Sequence, residues 1–251
     1  GGNVQAVAVD GTFDDCQAIV KAAFSDARLR EEARLTSANS INVGRLLPQT
    51  FYYAWASQAG ASDVPDTSLV SVPSGNFGNL TAGLIAKRLG FPIGRFVAAT
   101  NVNDVVPQYL LSGRYAPRPS VRTVANAMDV GAPSNFERML ALYDGDRDRM
   151  RADIEGAAFD DVQATAAIAD MQSRYGYILD PHSAIAWLGL GDRPGFFVAT
   201  AHPAKFRETV EPAIGHAVDL PVALREALTR PRLITRMRPQ LSALRELLGR
   251  T

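Results

Sequence analysis

The chain has 251 residues, of which 47% are hydrophobic, and its basic and acidic side chains number 26 each. A net charge near zero excludes the broad basic face that nucleic acid or anionic lipid would require. The length and the apolar content suffice for a sizeable core in one large domain or one and a half, so we predict a soluble globular protein with a small-molecule partner.

Three further features concern cellular context. The longest apolar runs, residues 185–190 and 196–201, are too short to span a bilayer, and no charged-then-apolar leader precedes them. Cys16 is the single cysteine, which excludes an internal disulfide and fits a reducing, cytoplasmic environment. Because the chain opens with Gly1-Gly2 in place of Met, we expect a piece of a longer protein.

The first elements in chain order form a strand and two helices. Alternating apolar residues predict a strand over Val4 to Val9, and Thr12 predicts the start of a helix with acidic residues in its first turn. After a polar stretch at residues 36–42, an amphipathic pattern predicts one long helix over residues 43–59. Four large side chains of this helix suit burial: Leu46, Leu47, Tyr53 and Trp55.

Strands and helices then alternate. A β-branched run predicts a strand over 67–72, and a glycine-bearing loop leads to a helix over 80–89. The next strand is predicted at 95–99 and the next helix at 104–112. Residues 113–133 are rich in Pro, Arg and Ser with little periodicity, which indicates a long excursion or lid.

The second half is predicted to be mainly helical. Helices are expected at 135–142, 160–174 and 183–188, followed by an apolar strand at 196–200 and a polar helical end. Because the strands alternate with helices and are apolar throughout, the fold class is predicted to be α/β, a parallel sheet with helices on both faces.

The strongest local signal is a strand that runs through a glycine loop into a helix, Val-Ser-Val-Pro-Ser-Gly-Asn-Phe-Gly-Asn at residues 70–79. Free N–H groups at a helix start, together with the helix dipole, form a cradle for an anion such as phosphate. An ordinary tight turn without a ligand is the alternative reading of this spacing. The loop lacks the patterns of dinucleotide and P-loop sites, so it favours neither nicotinamide nor ATP chemistry.

The same loop, with Leu-Thr-Ala-Gly after it, resembles the phosphate loop of the threonine synthase family. Five further blocks resemble that family in its order along the chain: residues 11–17, residues 37–42 with Arg45, residues 98–104, residues 126–130 and residues 200–206. One departure is Asn79, where many relatives carry Asp. The resemblance implies the pyridoxal 5'-phosphate (PLP) fold type II, similar to tryptophan synthase β, with its N-terminal part missing.

Site roles follow from this resemblance. It implies that Gly75, Asn76, Phe77 and Asn79 hold the cofactor phosphate or ring, and that the hydroxyl of Thr200 meets the pyridine nitrogen. A neutral hydroxyl at that position would leave the ring nitrogen closer to neutral than an Asp would. The ordinary end of a buried strand is the alternative for Thr200.

The family also implies a substrate site and a reaction. Ser40, Asn42 and Arg45 are assigned to the phosphate of O-phosphohomoserine, because Arg can fork onto two phosphate oxygens. A capped helix with a solvent-facing Arg is the alternative. The implied activity is conversion of O-phospho-L-homoserine and water to L-threonine and phosphate.

The resemblance also indicates what this chain lacks. The family's Schiff-base lysine lies in a Phe-Lys-Asp context, and the chain contains no such tripeptide; its three lysines are Lys21, Lys87 and Lys205. No catalytic residue is therefore assigned, and the chain alone is expected to be inactive and to form no covalent link to PLP. We expect residues 1–36 to be a remnant of the lysine-bearing region and residues 37–251 to be the larger PLP domain, with an excursion near 113–180.

Other patterns carry less information. The three histidines match no zinc spacing, so no metal site is assigned; His182 is read as a helix cap and His202 as a packing or orienting group near the cofactor. Two other functions stay open. One is a non-catalytic binding or assembly fragment, and the other is a related PLP enzyme such as a serine/threonine dehydratase or a cysteine synthase, which share the glycine loop but not the block at residues 37–42.

Overall fold

The computed structural model describes residues 4–39, 42–59 and 69–249. These residues fall into two compact units, one of Gly1–Ser37 with Leu220–Thr251 and the other of Ala38–Asp219. The predicted strand start at 67–68, the loop residues Ser40 and Ile41 and the opening Gly1-Gly2 lie outside the described residues. No helix within the described ranges is long and apolar enough to cross a bilayer.

The smaller unit joins both ends of the chain through a parallel pair of strands. Its strands and helices are β1 (Ala6–Val9), α1 (Phe13–Ser25), α2 (Ala27–Glu32), α11 (Val222–Leu228), β6 (Ile234–Met237) and α12 (Leu241–Leu248). Strand β1 pairs with β6 in the register Ala6 to Ile234. Thr12 caps α1 in a capping box with Asp15, as the polar start of that helix suggested.

This pairing departs from the expected division at residue 36. Residues 220–251 were expected in the larger domain, but β6 obtains its hydrogen-bonding partner from β1 and so belongs with the first segment. The polar composition of the chain end predicted helix only, and a four-residue strand was missed because its partner lies more than 220 positions away.

The larger unit is built on a four-stranded parallel sheet. Its strands are β2 (Leu69–Pro73), β3 (Arg95–Thr100), β4 (Ile154–Ala158) and β5 (Gly195–Phe197). Their order in the sheet is β4-β3-β2-β5. Its helices are α3 (Thr50–Ala59), α4 (Gly78–Arg88), α5 (Val105–Ser112), α6 (Phe136–Leu142), α7 (Arg147–Asp153), α8 (Asp161–Tyr175), α9 (Pro181–Leu190) and α10 (Arg207–Ile214). Short 3-10 helices occur at Val43–Arg45, Asn126–Met128 and Pro203–Phe206.

The sheet is covered on both faces, which confirms the predicted fold class. Val70, Val72 and Phe96 point into one core, where they pack against the apolar side chains of α4 and α5. Val97 and Ala99, at the alternating positions of β3, point into a second core with Ile185 of α9. A parallel strand buried on both faces explains why these runs are apolar at every position.

The long helix predicted over residues 43–59 is wrong in its first half. A 3-10 turn at Val43–Arg45 is followed by a turn that contains Pro48, and α3 begins only at Thr50. Proline lacks an N–H donor and disfavours helical backbone in the residue before it, which explains why α3 begins only after Pro48.

The predicted burial of this segment is half right. Leu46 and Tyr53 are fully buried, whereas Leu47 and Trp55 are 55% and 74% exposed. Within α3, Thr50 and Tyr53 lie three positions apart and are buried, whereas Phe51 and Trp55 lie four positions apart and are exposed.

Candidate functional site

The turn between β2 and α4 ends in a helix start whose N-cap residue has no capping side chain, although the Asn79 side-chain oxygen accepts from the N–H of Leu80 at 2.9 Å. Phe77 occupies the N-cap position with φ +60° and ψ 14°, and it makes no side-chain cap hydrogen bond. The first-turn N–H groups of α4 therefore receive no capping oxygen from Phe77. Left-handed backbone costs a non-glycine residue about 1–2 kcal/mol, and burial of the Phe77 ring to 2% exposure holds it there.

Gly75 is required by close approach of a second loop. A Cβ atom at this position would lie 2.7 Å from the Cα of Met128 and 2.8 Å from the carbonyl oxygen of Ala127. Both distances are shorter than real Cβ contacts, and both obstacles are backbone atoms. The loop at residues 126–128 is thus pressed against the glycine turn, and only glycine fits between them.

The two asparagines of the turn hold it in place. The Asn76 side-chain oxygen accepts hydrogen bonds from the backbone N–H of Ser134 at 2.6 Å and from its hydroxyl at 3.0 Å. The Asn79 side-chain nitrogen donates to the carbonyl of Pro73 at 2.7 Å, which closes the turn on itself. The carbonyl of Asn79 also accepts from the buried Tyr53 hydroxyl at 2.8 Å, which ties the turn to α3.

A polar cluster positions the loop that contacts Gly75. The side-chain nitrogen of Asn101, just past β3, donates to Thr123 and to Asp129, both at 2.8 Å. The Thr123 hydroxyl and N–H also donate to Asp129, at 2.7 and 3.0 Å. Burial raises the pKa of Asp129 more than these hydrogen bonds lower it. The blocks at residues 98–104 and 126–130 thus meet in space, and part of the excursion at 113–133 is anchored.

Thr200 follows β5 and contacts a buried carboxylate. Its hydroxyl lies 3.3 and 3.4 Å from the two oxygens of Asp180, and its N–H donates to the Ser183 hydroxyl at 3.1 Å. Asp180 is 1% exposed and caps α9 by accepting from the N–H of His182. Sequence reasoning missed Asp180, although Asp before Pro at a helix start is a recognisable N-cap signal.

His182 is not the helix cap that was predicted. Its Nε2 accepts from the N–H of Ala127 at 3.1 Å, so its proton resides on Nδ1 and is donated to Asp180 at 2.8 Å. The ring is 4% exposed and packs edge-on against Phe206. His182 thus links the 126–128 loop to the Asp180 cluster.

His202 and His216 serve local roles. His202 caps the 3-10 helix Pro203–Phe206 through Nδ1, which accepts from the N–H of Ala204 at 3.2 Å. His216 is exposed and lies 3.3 Å from the side-chain nitrogen of Gln172. Among the residues that the structure describes, no three His, Cys, Asp or Glu side chains are grouped as a metal site.

The glycine turn and Thr200 line one cavity of about 470 Å³. Its wall includes residues 75–79, Ala127, Met128, His182, Thr200 and Ala201. This volume lies in the range of roughly 300–1,000 Å³ that is typical of small-ligand sites. The structure therefore brings together all five predicted cofactor residues, Gly75, Asn76, Phe77, Asn79 and Thr200.

Lys205 also lines this cavity and is its one cationic side chain among the described lining residues. None of the three lysines was expected to be the Schiff-base residue. Lys21 lies exposed on α1, and Lys87 forms a 2.6 Å ion pair with Asp153. Lys205 lies in the 3-10 helix Pro203–Phe206, which follows Thr200 and brings this side chain to the cavity.

Of the predicted substrate residues, Asn42 and Arg45 do not line the cavity. Asn42 caps the 3-10 turn Val43–Arg45 by accepting from the N–H of Gly44 at 3.0 Å, and the Arg45 side chain is exposed. The Arg45 carbonyl accepts from the side-chain nitrogen of Gln49 at 2.7 Å, and Gln49 does line the cavity. Ser40, the third predicted residue, lies outside the described residues.

An apolar cavity of about 520 Å³ adjoins the first. It shares Gln49, Asn79 and Thr200 with that cavity, and Tyr52 and Trp55 of α3 line its outer side. The exposed Trp55 ring is therefore a wall of this cavity.

The residues present fit PLP. A helix start without an N-cap side chain, beside glycines, suits a phosphate, and the hydroxyl-bearing Thr200 in the same cavity suits a ring nitrogen. The close fit of Gly75 against Ala127 and Met128 keeps the turn in one conformation.

Comparison with known proteins agrees with this site. Residues 1–197 match the family model of pyridoxal-phosphate dependent enzymes, and residues 191–248 match the model of the threonine synthase C-terminal region. Threonine synthase from Escherichia coli (strain K12) is 44% identical over 253 residues, covering 99% of this chain and 59% of the relative. The chain thus spans less than two thirds of the length of such relatives.

Solved structures give the same result. The crystal structure of threonine synthase from Escherichia coli superposes with a TM-score of 0.93 at 44% identity, covering all of this chain and 59% of that one. The PLP-bound threonine synthase from Brucella melitensis superposes with a TM-score of 0.84 at 33% identity, covering 99% and 60%. These matches confirm the predicted resemblance and the cofactor of the family. The chain belongs to the family of pyridoxal-phosphate dependent enzymes.

Proposed function

We propose that this chain is the cofactor-binding part of a threonine synthase, which converts O-phospho-L-homoserine and water to L-threonine and phosphate. One observation carries the proposal. A cavity walled by the glycine turn and Thr200 occurs in a chain that is similar over 99% of its length to a threonine synthase. A cytoplasmic location is part of the proposal and is supported by the single cysteine.

The glycine turn would hold the cofactor phosphate. The N-cap residue Phe77 contributes no side-chain acceptor to the N–H groups at the start of α4, and the helix dipole adds positive potential at the same place. Hydrogen bonds of Asn76 to Ser134 and of Asn79 to Pro73 fix the turn before any ligand arrives. A preorganised cradle loses little conformational entropy on binding.

When bound, PLP supplies an electron sink that stabilises negative charge on the substrate carbon next to the amino group. Thr200 would orient the ring through its nitrogen, since Thr200 lines the same cavity as the glycine turn. The apolar side chains of Phe77 and Met128 exclude water from one side of the cavity, which strengthens the polar contacts inside it.

The substrate phosphate would be bound beside the cavity by Asn42 and Arg45, together with Ser40. Support comes from the exposed Arg45 guanidinium and from Gln49, which contacts the Arg45 carbonyl and also lines the cavity. An Arg fork can pair with two phosphate oxygens, and the leaving group of the proposed reaction is a phosphate. The proton transfers at the reacting carbons are assigned to no residue of this chain.

A paired assay tests the proposal. The full-length gene product is incubated with O-phosphohomoserine and, separately, with threonine, and the release of phosphate and of ammonia is measured. We expect phosphate and threonine in equal amounts from the first reaction. Ammonia from threonine without phosphate release would identify a dehydratase and overturn the proposal. No product from either substrate would favour a binding fragment.

A further inference from the structure

Asp180 is the centre of a hydrogen-bond cluster behind Thr200. It accepts from the His182 N–H at 3.0 Å, from His182 Nδ1 at 2.8 Å, from the Ser183 hydroxyl and from the Ala201 N–H at 3.4 Å. All these groups are donors, and only an ionised carboxylate can accept from all of them at once. Burial opposes ionisation, but the hydrogen bonds from His182 and Ser183 outweigh it and hold the pKa of Asp180 below its ordinary value.

The charge of Asp180 dictates the direction of the Thr200 hydroxyl. A hydroxyl has one proton and two lone pairs, whereas an ionised carboxylate has lone pairs only. The Thr200 oxygen lies 3.3 and 3.4 Å from the two carboxylate oxygens, so its proton points to Asp180. Toward the cavity, Thr200 then presents a lone pair and acts as an acceptor.

The position of Thr200 is itself fixed. Its N–H donates to the Ser183 hydroxyl at 3.1 Å, and that hydroxyl donates in turn to Asp180. His182 is held in its Nδ1–H form because Nε2 accepts from the N–H of Ala127. The cluster therefore has one consistent set of proton positions, with the negative charge behind Thr200.

We propose that Asp180 is a positioning residue that turns Thr200 into an acceptor, so that the cavity selects a cofactor ring whose nitrogen is protonated. This inference rests on the proposed function, because it requires PLP with its ring nitrogen at Thr200. It reverses the expectation from sequence that a threonine leaves the ring nitrogen closer to neutral. A neutral pyridine nitrogen would meet the Thr200 lone pair with a lone pair of its own.

The other titratable side chains near Thr200 do not favour a protonated ring nitrogen. The titratable side chains that line this cavity and the adjoining one are His182, Lys205 and Tyr52. His182 is neutral in the cluster, since its Nε2 accepts a hydrogen bond, and the Lys205 cation opposes protonation of a ring nitrogen. Asp180 is thus the group that favours the protonated ring.

The test uses PLP labelled with nitrogen-15 in the ring. The labelled PLP is bound to the purified chain, and the ring nitrogen signal is followed by NMR between pH 6 and 9. Its chemical shift distinguishes protonated from unprotonated nitrogen and does not depend on turnover. We expect a protonated ring at neutral pH and, in Asp180→Asn, a titration midpoint lower by about one pH unit or more, the usual effect of losing an opposite charge nearby.

Three variants make the result specific. Asp160→Asn is the matched control, because Asp160 caps α8 by the same kind of side-chain bond but lies exposed; it should leave the midpoint unchanged. Thr200→Val removes the acceptor and should lower the midpoint as Asp180→Asn does, while Thr200→Ser should restore it. These Thr200 variants decide the question if Asp180→Asn does not fold.

The outcomes separate the two proposals. An unprotonated ring at neutral pH in the unsubstituted chain, or equal midpoints in Asp180→Asn and Asp160→Asn, would overturn the role of Asp180 and leave the PLP site intact. Failure of the full-length gene product to bind PLP at all would contradict the proposed function and, with it, this inference.

Discussion

Replacing Gly75 by alanine tests the geometry of the cofactor turn. The added Cβ would lie 2.7 Å from the Met128 Cα and 2.8 Å from the Ala127 oxygen, and neither backbone atom can move without the whole 126–128 loop. Overpacking of this kind costs about 1–3 kcal/mol. The loop is held by Asp129 and His182, so part of the strain should displace the turn.

The expected result has two parts. The free energy of unfolding, measured in urea, should fall by about 1–3 kcal/mol. If about 1.4 kcal/mol of the strain falls on the ligand site, PLP binds about tenfold more weakly in equilibrium dialysis.

Gly145→Ala is the matched control. Gly145 has φ +76° with open space around it and does not line the cavity. The backbone strain alone should cost about 1–2 kcal/mol and leave PLP affinity unchanged. If Gly75→Ala matched the unsubstituted chain in both stability and PLP affinity, the close approach of the two loops would be refuted.

Three further predictions concern charged residues. In the full-length gene product, Arg45→Ala should raise the KM for O-phosphohomoserine tenfold or more, about the worth of one charge-assisted hydrogen bond; an unchanged KM would refute the substrate-phosphate assignment. Asp180→Asn should lower stability by about 1–3 kcal/mol at pH 7. Because the pKa of Asp180 is depressed by folding, this stabilisation is present above about pH 4 and is lost as pH falls through the folded pKa, so the two urea curves should converge in acid. Borohydride reduction of the chain with PLP should label no lysine in a peptide map, and a label on Lys205 would contradict that expectation.

Local patterns predicted the parts of the fold in which neighbours along the chain decide the structure. The strand, turn and helix at residues 69–88 are one example, since β-branched residues, glycines and a helix start follow one another directly. The apolar run before Thr200 likewise predicted that a strand leads to this residue, and β5 ends three residues before it. The family resemblance then assigned the roles that spacing left open.

Other elements depend on distant partners and were missed. Strand β4 has the sequence Ile-Glu-Gly-Ala-Ala, which has low strand propensity, and it forms because β3 offers an edge with which to pair. The contact of Asp180 with Thr200 joins residues 20 positions apart, and no spacing rule reveals it. The exposure of Trp55 follows from which helix face meets α4, a matter of packing and not of composition.

A crystal structure of the chain grown with PLP tests the central claim most directly. The account predicts that the phosphate lies within hydrogen-bonding distance of the backbone N–H groups of residues 75–78, with the ring nitrogen beside the Thr200 hydroxyl. A phosphate bound elsewhere, or a ring whose nitrogen points away from Thr200, would contradict it.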